Sequence, residues 1–137
     1  MNTKQKGELS EAKLLIAFLS CGKSVSKPFG DNQKYDLIID DGSLKRIQVK
    51  TGKLTNGVIT ANTCRSVGIW KAGKERTREK YTNEQIDAFG IYCPENDKCY
   101  IVPLEAISTN EISLRIDPPK NNQLEGIRWA KDYEITA

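Results

Sequence analysis

The sequence predicts an α/β domain on three observations. Residues 3–20 carry apolar side chains at helical steps, residues 35–50 read as two strands joined by a tight turn, and residues 82–103 read as a helix start followed by a second strand pair. A chain of 137 residues suits one domain, spanning 1–137, that buries its own core without staples.

Each element has a local reason. In the first helix Leu9, Ala12, Ile16 and Leu19 recur at three- and four-residue steps, and Gly22 follows as a natural terminator. Residues 24–28, Ser-Val-Ser-Lys-Pro, make a short strand candidate, and the Gly, Asp and Asn of residues 29–34 mark a loop. Residues 35–40 form an apolar strand, Asp41-Gly42 is a two-residue hairpin signal, and residues 44–50 answer with alternating apolar and polar side chains. That pairing brings Asp36 and Lys50 to one end of a hairpin. Residues 57–61 predict a further strand, while residues 68–80 are polar, basic and without period. Thr82-Asn83-Glu84-Gln85 matches a helix capping box. Residues 90–93 and 98–103 then make a second hairpin around Pro94-Glu95-Asn96-Asp97, and residues 112–116 a last strand before an irregular segment that closes over the core.

Composition excludes several chemistries. The chain has no histidine, which removes Ser-His-Asp and Cys-His nucleophiles, histidine-liganded metals and histidine bases together. Its four cysteines contain no Cys-x-x-Cys pair, so a zinc cluster is not expected and small buried thiols are. Cys93 and Cys99 could face each other across the second hairpin, though no disulfide is expected there. The apolar run at residues 14–19 is too short to span a bilayer, and the amino terminus lacks a secretory signal, so the reading is an intracellular protein without a membrane partner. The net charge of +3 conceals an asymmetry: residues 1–43 are neutral, residues 44–80 carry +8 and residues 81–137 carry −5. The basic middle suits a phosphate-binding surface, and by itself it also suits a solvated loop.

Glu11, Asp36 and Gln48-Val49-Lys50 are the candidate chemistry. Positions 48 and 50 share one sheet face, and Asp36 opens the neighbouring strand, so the three side chains converge. A carboxylate, a side-chain carbonyl and a backbone carbonyl can hold a hard cation, and an adjacent lysine can orient a water or stabilise charge on a phosphate. The spacing leaves a second reading open: Asp36 as a strand-initial carboxylate bonded to loop amides, with Gln48 and Lys50 on an exposed edge.

These residues resemble a family. Lys6-Gly7-x-x-x-Glu11 on a helix, Asp36 opening a strand and Gln48-x-Lys50 closing the next are similar to the PD-(D/E)XK nuclease superfamily. The likeness is to the branch holding archaeal Holliday-junction resolvases and, more closely, homing endonucleases encoded in group I introns. Residues 28–32 before Tyr35-Asp36, and the Asp87-x-Phe89-x-x-Tyr92-x-Pro94 run through Val102-Pro103, extend it over most of the chain. The resemblance implies a restriction-endonuclease-like α/β core, a central mixed β-sheet flanked by helices, and metal-dependent hydrolysis of DNA. Mg²⁺, with Mn²⁺ able to substitute, would be held by Asp36, Gln48, the Val49 carbonyl and Glu11, with Lys50 beside the attacking water. Gln48 departs from the family, which mostly places Asp or Glu there; the amide keeps an oxygen donor but loses a charge, so the ion should bind less tightly. Periodicity alone would favour Glu8 over Glu11, since Glu8 lies nearer the centre of the apolar stripe; the resemblance selects Glu11.

In that setting Lys53, Arg65, Lys71, Lys74, Arg76 and Arg78 become candidates for contacting double-stranded DNA, mostly at phosphates. Trp70 and Tyr81 suit anchoring roles better than DNA contact. Two cuts call for two sites, so a homodimer or a pair of dimers forming a homotetramer is expected. The leading expectation is a site-specific double-strand endonuclease of the homing type; a junction-resolving nuclease and a DNA-binding or assembly module without catalysis are the alternatives. A small-molecule enzyme is the weakest option, because no glycine-rich phosphate loop is present.

Overall fold

The computed structural model describes residues 1–67, 77–107, 109–119, 121 and 126–136, with the backbone alone at 65–67, 77 and 78. Helix α1 (Thr3–Ser20) starts where the Asn2 side chain accepts the Gln5 amide at 2.9 Å and the Gln5 side chain accepts the Asn2 amide at 3.0 Å. It ends at Cys21, after which Gly22 takes φ +81, so that the Lys23 amide reaches back to the Phe18 carbonyl at 3.1 Å.

The central sheet is mixed. Strands β1 (Ser24–Ser26), β2 (Leu37–Asp40), β3 (Leu44–Thr51), β8 (Ala88–Cys93) and β9 (Lys98–Pro103) lie in the order β1-β2-β3-β8-β9, with β3 and β8 parallel and the other pairs antiparallel. One face is covered by α1. The other is covered by a three-stranded sheet of β4 (Lys53–Thr55), β5 (Val58–Asn62) and β10 (Glu111–Arg115), where the expected second helical layer would lie. Alternation along β3 and β8 divides the core accordingly: Ile47 and Ala88 pack with Leu14 and Phe18 under the helix, while Phe89 and Ile91 pack with Ile59, Ile112 and Leu114 under the small sheet. A two-stranded ribbon, β6 (Cys64–Val67) with β7 (Thr77–Lys80), projects from the end of β5.

Four local expectations are corrected. The apolar stripe of α1 faces outward: Ile16 and Leu19 are 59% and 54% exposed, and Ser10, Leu14 and Phe18 are the buried row. That row wins because the sheet has a slot for it. The Ser10 hydroxyl meets the Thr51 hydroxyl at 2.6 Å, and Leu14 sits over Gly90, where a Cβ would lie 2.9 Å from Leu14 Cδ1. The β2–β3 connection holds three residues, Asp41, Gly42 and Ser43, since Asp40 pairs with Leu44; Gly42 adopts φ +110 and its amide bonds the Asp40 carboxylate at 3.0 Å. The capping-box sequence at Thr82 makes one turn, closed by the Gln85 and Ile86 amides on the Thr82 carbonyl, before the chain enters β8. Arg46 stops it there: its guanidinium binds the Asp87 carboxylate and the Asn83 and Glu84 carbonyls. Cys93 and Cys99 do not face each other, because Cys99 pairs with Tyr92; they point into opposite cores, and all four thiols are free.

Candidate active site

Asp36 stands one residue before β2 and takes over the end of its hydrogen-bond ladder. Its amide donates to the Ile47 carbonyl at 2.8 Å, and its Oδ2 accepts the Val49 amide at 2.8 Å. The Leu37–Ile47 register places it beside Gln48. Burial pushes the Asp36 carboxyl above its ordinary range, the Val49 amide pulls it back, and the negative charge of Glu11 adds to the upward push. A half-buried carboxylate in that state gains from any cation brought to it.

Lys50 lies on the same face as Gln48. Its ammonium donates to the Cys64 carbonyl at 3.2 Å and sits 5.3 Å from the centroid of the Tyr81 ring, which packs edge-on against Phe89 at 5.6 Å. Burial pulls the Lys50 ammonium below its usual pKa, opposed by the charge of Asp36. An ammonium has three donors, so the Cys64 contact leaves two for a water or a phosphate oxygen. Tyr81 therefore anchors the lysine and the core, as the sequence suggested; Trp70 lies outside the described residues.

Helix α1 supplies the second carboxylate. Glu11 flanks the buried row and is half-buried, whereas Glu8 is exposed, so the docking of the helix favours Glu11. Glu11 is ion-paired with Lys27, which follows β1 directly. The hydrogen bond and charge of Glu11 hold the Lys27 ammonium above its ordinary pKa, and Asp36 contributes a smaller push in the same direction. Lys27 was not singled out from the sequence. No periodicity marks it, and only the packing of α1 beside β1 reveals its partner.

The donor set suits a hard cation. Since the Val49 amide points to Asp36, the Val49 carbonyl on the same strand edge points past the start of β2, where Gln48 Nε2 is its neighbour at 3.4 Å. In this arrangement the amide nitrogen donates to that carbonyl, and the amide would have to turn over for both oxygens to face a cation. Two carboxylates and two neutral oxygens result, all of them hard donors. Among the described residues no three His, Cys, Asp or Glu side chains cluster.

The basic candidates fall beside this site unevenly. Lys53 is exposed at the start of β4, three positions after Lys50. Arg65 and Arg78 belong to the ribbon, opposite Glu79 and Ser66 respectively, and the ribbon leaves from Cys64, whose carbonyl holds Lys50. The side chains of Arg65 and Arg78, and Lys71, Lys74 and Arg76 altogether, lie outside the described residues. No described helix is long and apolar enough to cross a membrane.

The model of a family described as PD-(D/E)XK endonuclease matches residues 1–136. The chain belongs to this family. A PD-(D/E)XK endonuclease acts on DNA, and enzymes of the family generally use divalent metal ions. Among solved structures, a bacterial homing endonuclease, I-Ssp6803I, matches with a TM-score of 0.78 and 24% identity, covering 98% of this chain and 89% of that one. At that identity the shared property is the fold, the restriction-endonuclease-like α/β core. No curated protein matches.

Proposed function

We propose that this PD-(D/E)XK endonuclease is a metal-dependent, site-specific enzyme of the homing type that hydrolyses phosphodiesters in double-stranded DNA. The observation that carries the reading is the convergence of Asp36, Gln48 and Lys50 at one end of the β2–β3 hairpin, with Glu11 brought alongside by α1. Glu11, Asp36, the Gln48 amide oxygen and the Val49 carbonyl would hold Mg²⁺, or Mn²⁺ in its place. Bound there, the ion would act as a Lewis acid on the scissile phosphate. Lys50, held by the Cys64 carbonyl and Tyr81, would direct its remaining donors at the attacking water or a phosphate oxygen and stabilise the negative charge that builds there. Asp36 accepts the Val49 amide on Oδ2, which leaves Oδ1 for the cation.

Binding of the duplex falls to Lys53 and to the basic segment 65–78. Antiparallel two-stranded ribbons fit the major groove, and β6–β7 is of that form, so Arg65, Lys71, Lys74, Arg76 and Arg78 are placed in the reading as phosphate and base-edge contacts. A homodimer or homotetramer would supply the two sites that a double-strand cut needs.

The test is Mg²⁺-dependent cleavage of DNA spanning the uninterrupted insertion locus of the gene. A cut confined to the uninterrupted allele is expected. Asp36→Ala and Lys50→Ala should abolish it while duplex binding in Ca²⁺ persists. Cleavage by either variant at the wild-type rate would refute the site assignment, and preferential symmetrical nicking of a four-way junction would replace the homing reading with a resolving one.

A further inference from the structure

The site carries a cation of its own. Lys27 places its ammonium on the Glu11 carboxylate, within electrostatic reach of Asp36. The two partners differ in exposure: the Lys27 side chain is 61% exposed and that of Glu11 is 26% exposed. Glu11 is thus fixed at the wall of the cleft it shares with Glu8, Ala12, Leu15, Lys27 and Leu37, while the lysine reaches in from solvent on a flexible stem and can leave the same way.

Resting on the reading of Glu11 and Asp36 as metal ligands, we propose that Lys27 is a built-in competitor for the divalent ion. In the free protein its ammonium fills the cation's place at Glu11, and it transfers to a backbone phosphate when duplex arrives. An ammonium and a divalent ion on one carboxylate would stand only a few ångströms apart, and their repulsion makes joint occupancy unfavourable. A passing duplex offers the ammonium another anion and frees Glu11. Loading of the ion is then coupled to binding of DNA, and by linkage each tightens the other. The coupling guards against hydrolysis without substrate in place.

The test is a Mn²⁺ titration of the full chain without DNA, followed by paramagnetic resonance. Lys27→Met should bind Mn²⁺ about tenfold tighter than wild type, the scale expected on removing one positive charge from the ion's immediate surroundings. Lys27→Arg, which keeps the ion pair, should stay near wild type. In a Glu11→Gln background the gain from Lys27→Met should shrink to the smaller effect of its charge on Asp36, because the competition acts through the Glu11 carboxylate. Equal or weaker Mn²⁺ binding by Lys27→Met, or the same gain with Glu11→Gln present, overturns the proposal. Lys27→Gln repeats the measurement should Lys27→Met lower the thermal midpoint. Asp36→Ala separates the two readings: if it leaves Mn²⁺ affinity unchanged, the metal site itself is wrong, whereas a loss there with no response to Lys27→Met removes only the competitor. For the transfer step, binding of a short duplex of arbitrary sequence in EDTA should show a salt dependence shallower by about one in log–log slope for Lys27→Met. An unchanged slope overturns the transfer.

Discussion

Gly90 is the position through which packing controls the site. A methyl group there would lie 2.9 Å from Leu14 Cδ1, 3.1 Å from Leu14 Cγ and 3.0 Å from Ile47 Cγ2. Carbon atoms prefer separations of about 3.5–4.0 Å, so Gly90→Ala forces α1 outward by roughly half an ångström to one ångström or drives Leu14 off its rotamer. Overpacking of this kind costs about 1–3 kcal/mol. Leu14 is fully buried, so Leu14→Ala costs about 2–5 kcal/mol by itself. The two changes occupy the same space, and the methyl added at 90 fills part of the volume vacated at 14. The double variant should therefore be more stable than the sum of the two single losses requires, by about 1 kcal/mol or more. Urea unfolding of the four proteins, with a shared denaturant slope, measures that coupling. Strict additivity would refute the close approach of α1 to β8. The same displacement moves Glu11, so Gly90→Ala should also weaken Mn²⁺ binding, and Leu14→Ala added to it should restore part of the affinity.

Two other outcomes follow from charge. Asp36 is held above its ordinary pKa of 3.8, so the folded protein binds this proton more tightly than the unfolded chain does, and stability falls as pH rises from the unfolded value through the folded one. In metal-free buffer Asp36→Asn, which keeps an oxygen for the Val49 amide, should accordingly be more stable than wild type near neutral pH, with the advantage fading as the pH falls toward the unfolded value; urea midpoints at two pH values check it, and an advantage that grows in acid would contradict the burial of this carboxylate. Arg46→Met removes the guanidinium contacts to Asp87 and to the Asn83 and Glu84 carbonyls, leaving Asp87 with the Arg46 backbone amide at 2.7 Å. Since the partner side chains are 30% and 38% exposed, the loss should be about 1–3 kcal/mol rather than that of a fully buried pair, read as a lowered urea midpoint with the circular dichroism of the sheet retained.

What the sequence displays and what it hides divide along sequence distance. The bounds of α1, the second hairpin around residues 94–97 and the strands at 58–62 and 111–115 rest on caps, turns and alternation within a few residues, and they are where those signals put them. Asp36 and Lys50 lie at the same end of the hairpin, as the pairing of the two strands predicts, but the turn holds three residues instead of two, so the register that sets Asp36 beside Gln48 was not legible in the turn signal. The side of α1 that is buried was not legible. Its decisive contacts are Ser10 with Thr51 and Leu14 with Gly90, partners far along the chain, and a polar residue wins a buried place because a hydroxyl waits for it. Apolar periodicity then points to the wrong face, and with it to Glu8. Strand β7 was hidden for a related reason: Thr77-Arg78-Glu79-Lys80 has no apolar face to alternate, and its pairing with β6 alone makes it a strand. The ion pair of Lys27 with Glu11 joins the exit of one element to the middle of another. In the proposed reading the placement of Glu11 therefore belongs to the packing of α1 against the sheet, and a substitution under that helix, far from any carboxylate, should be felt at the site.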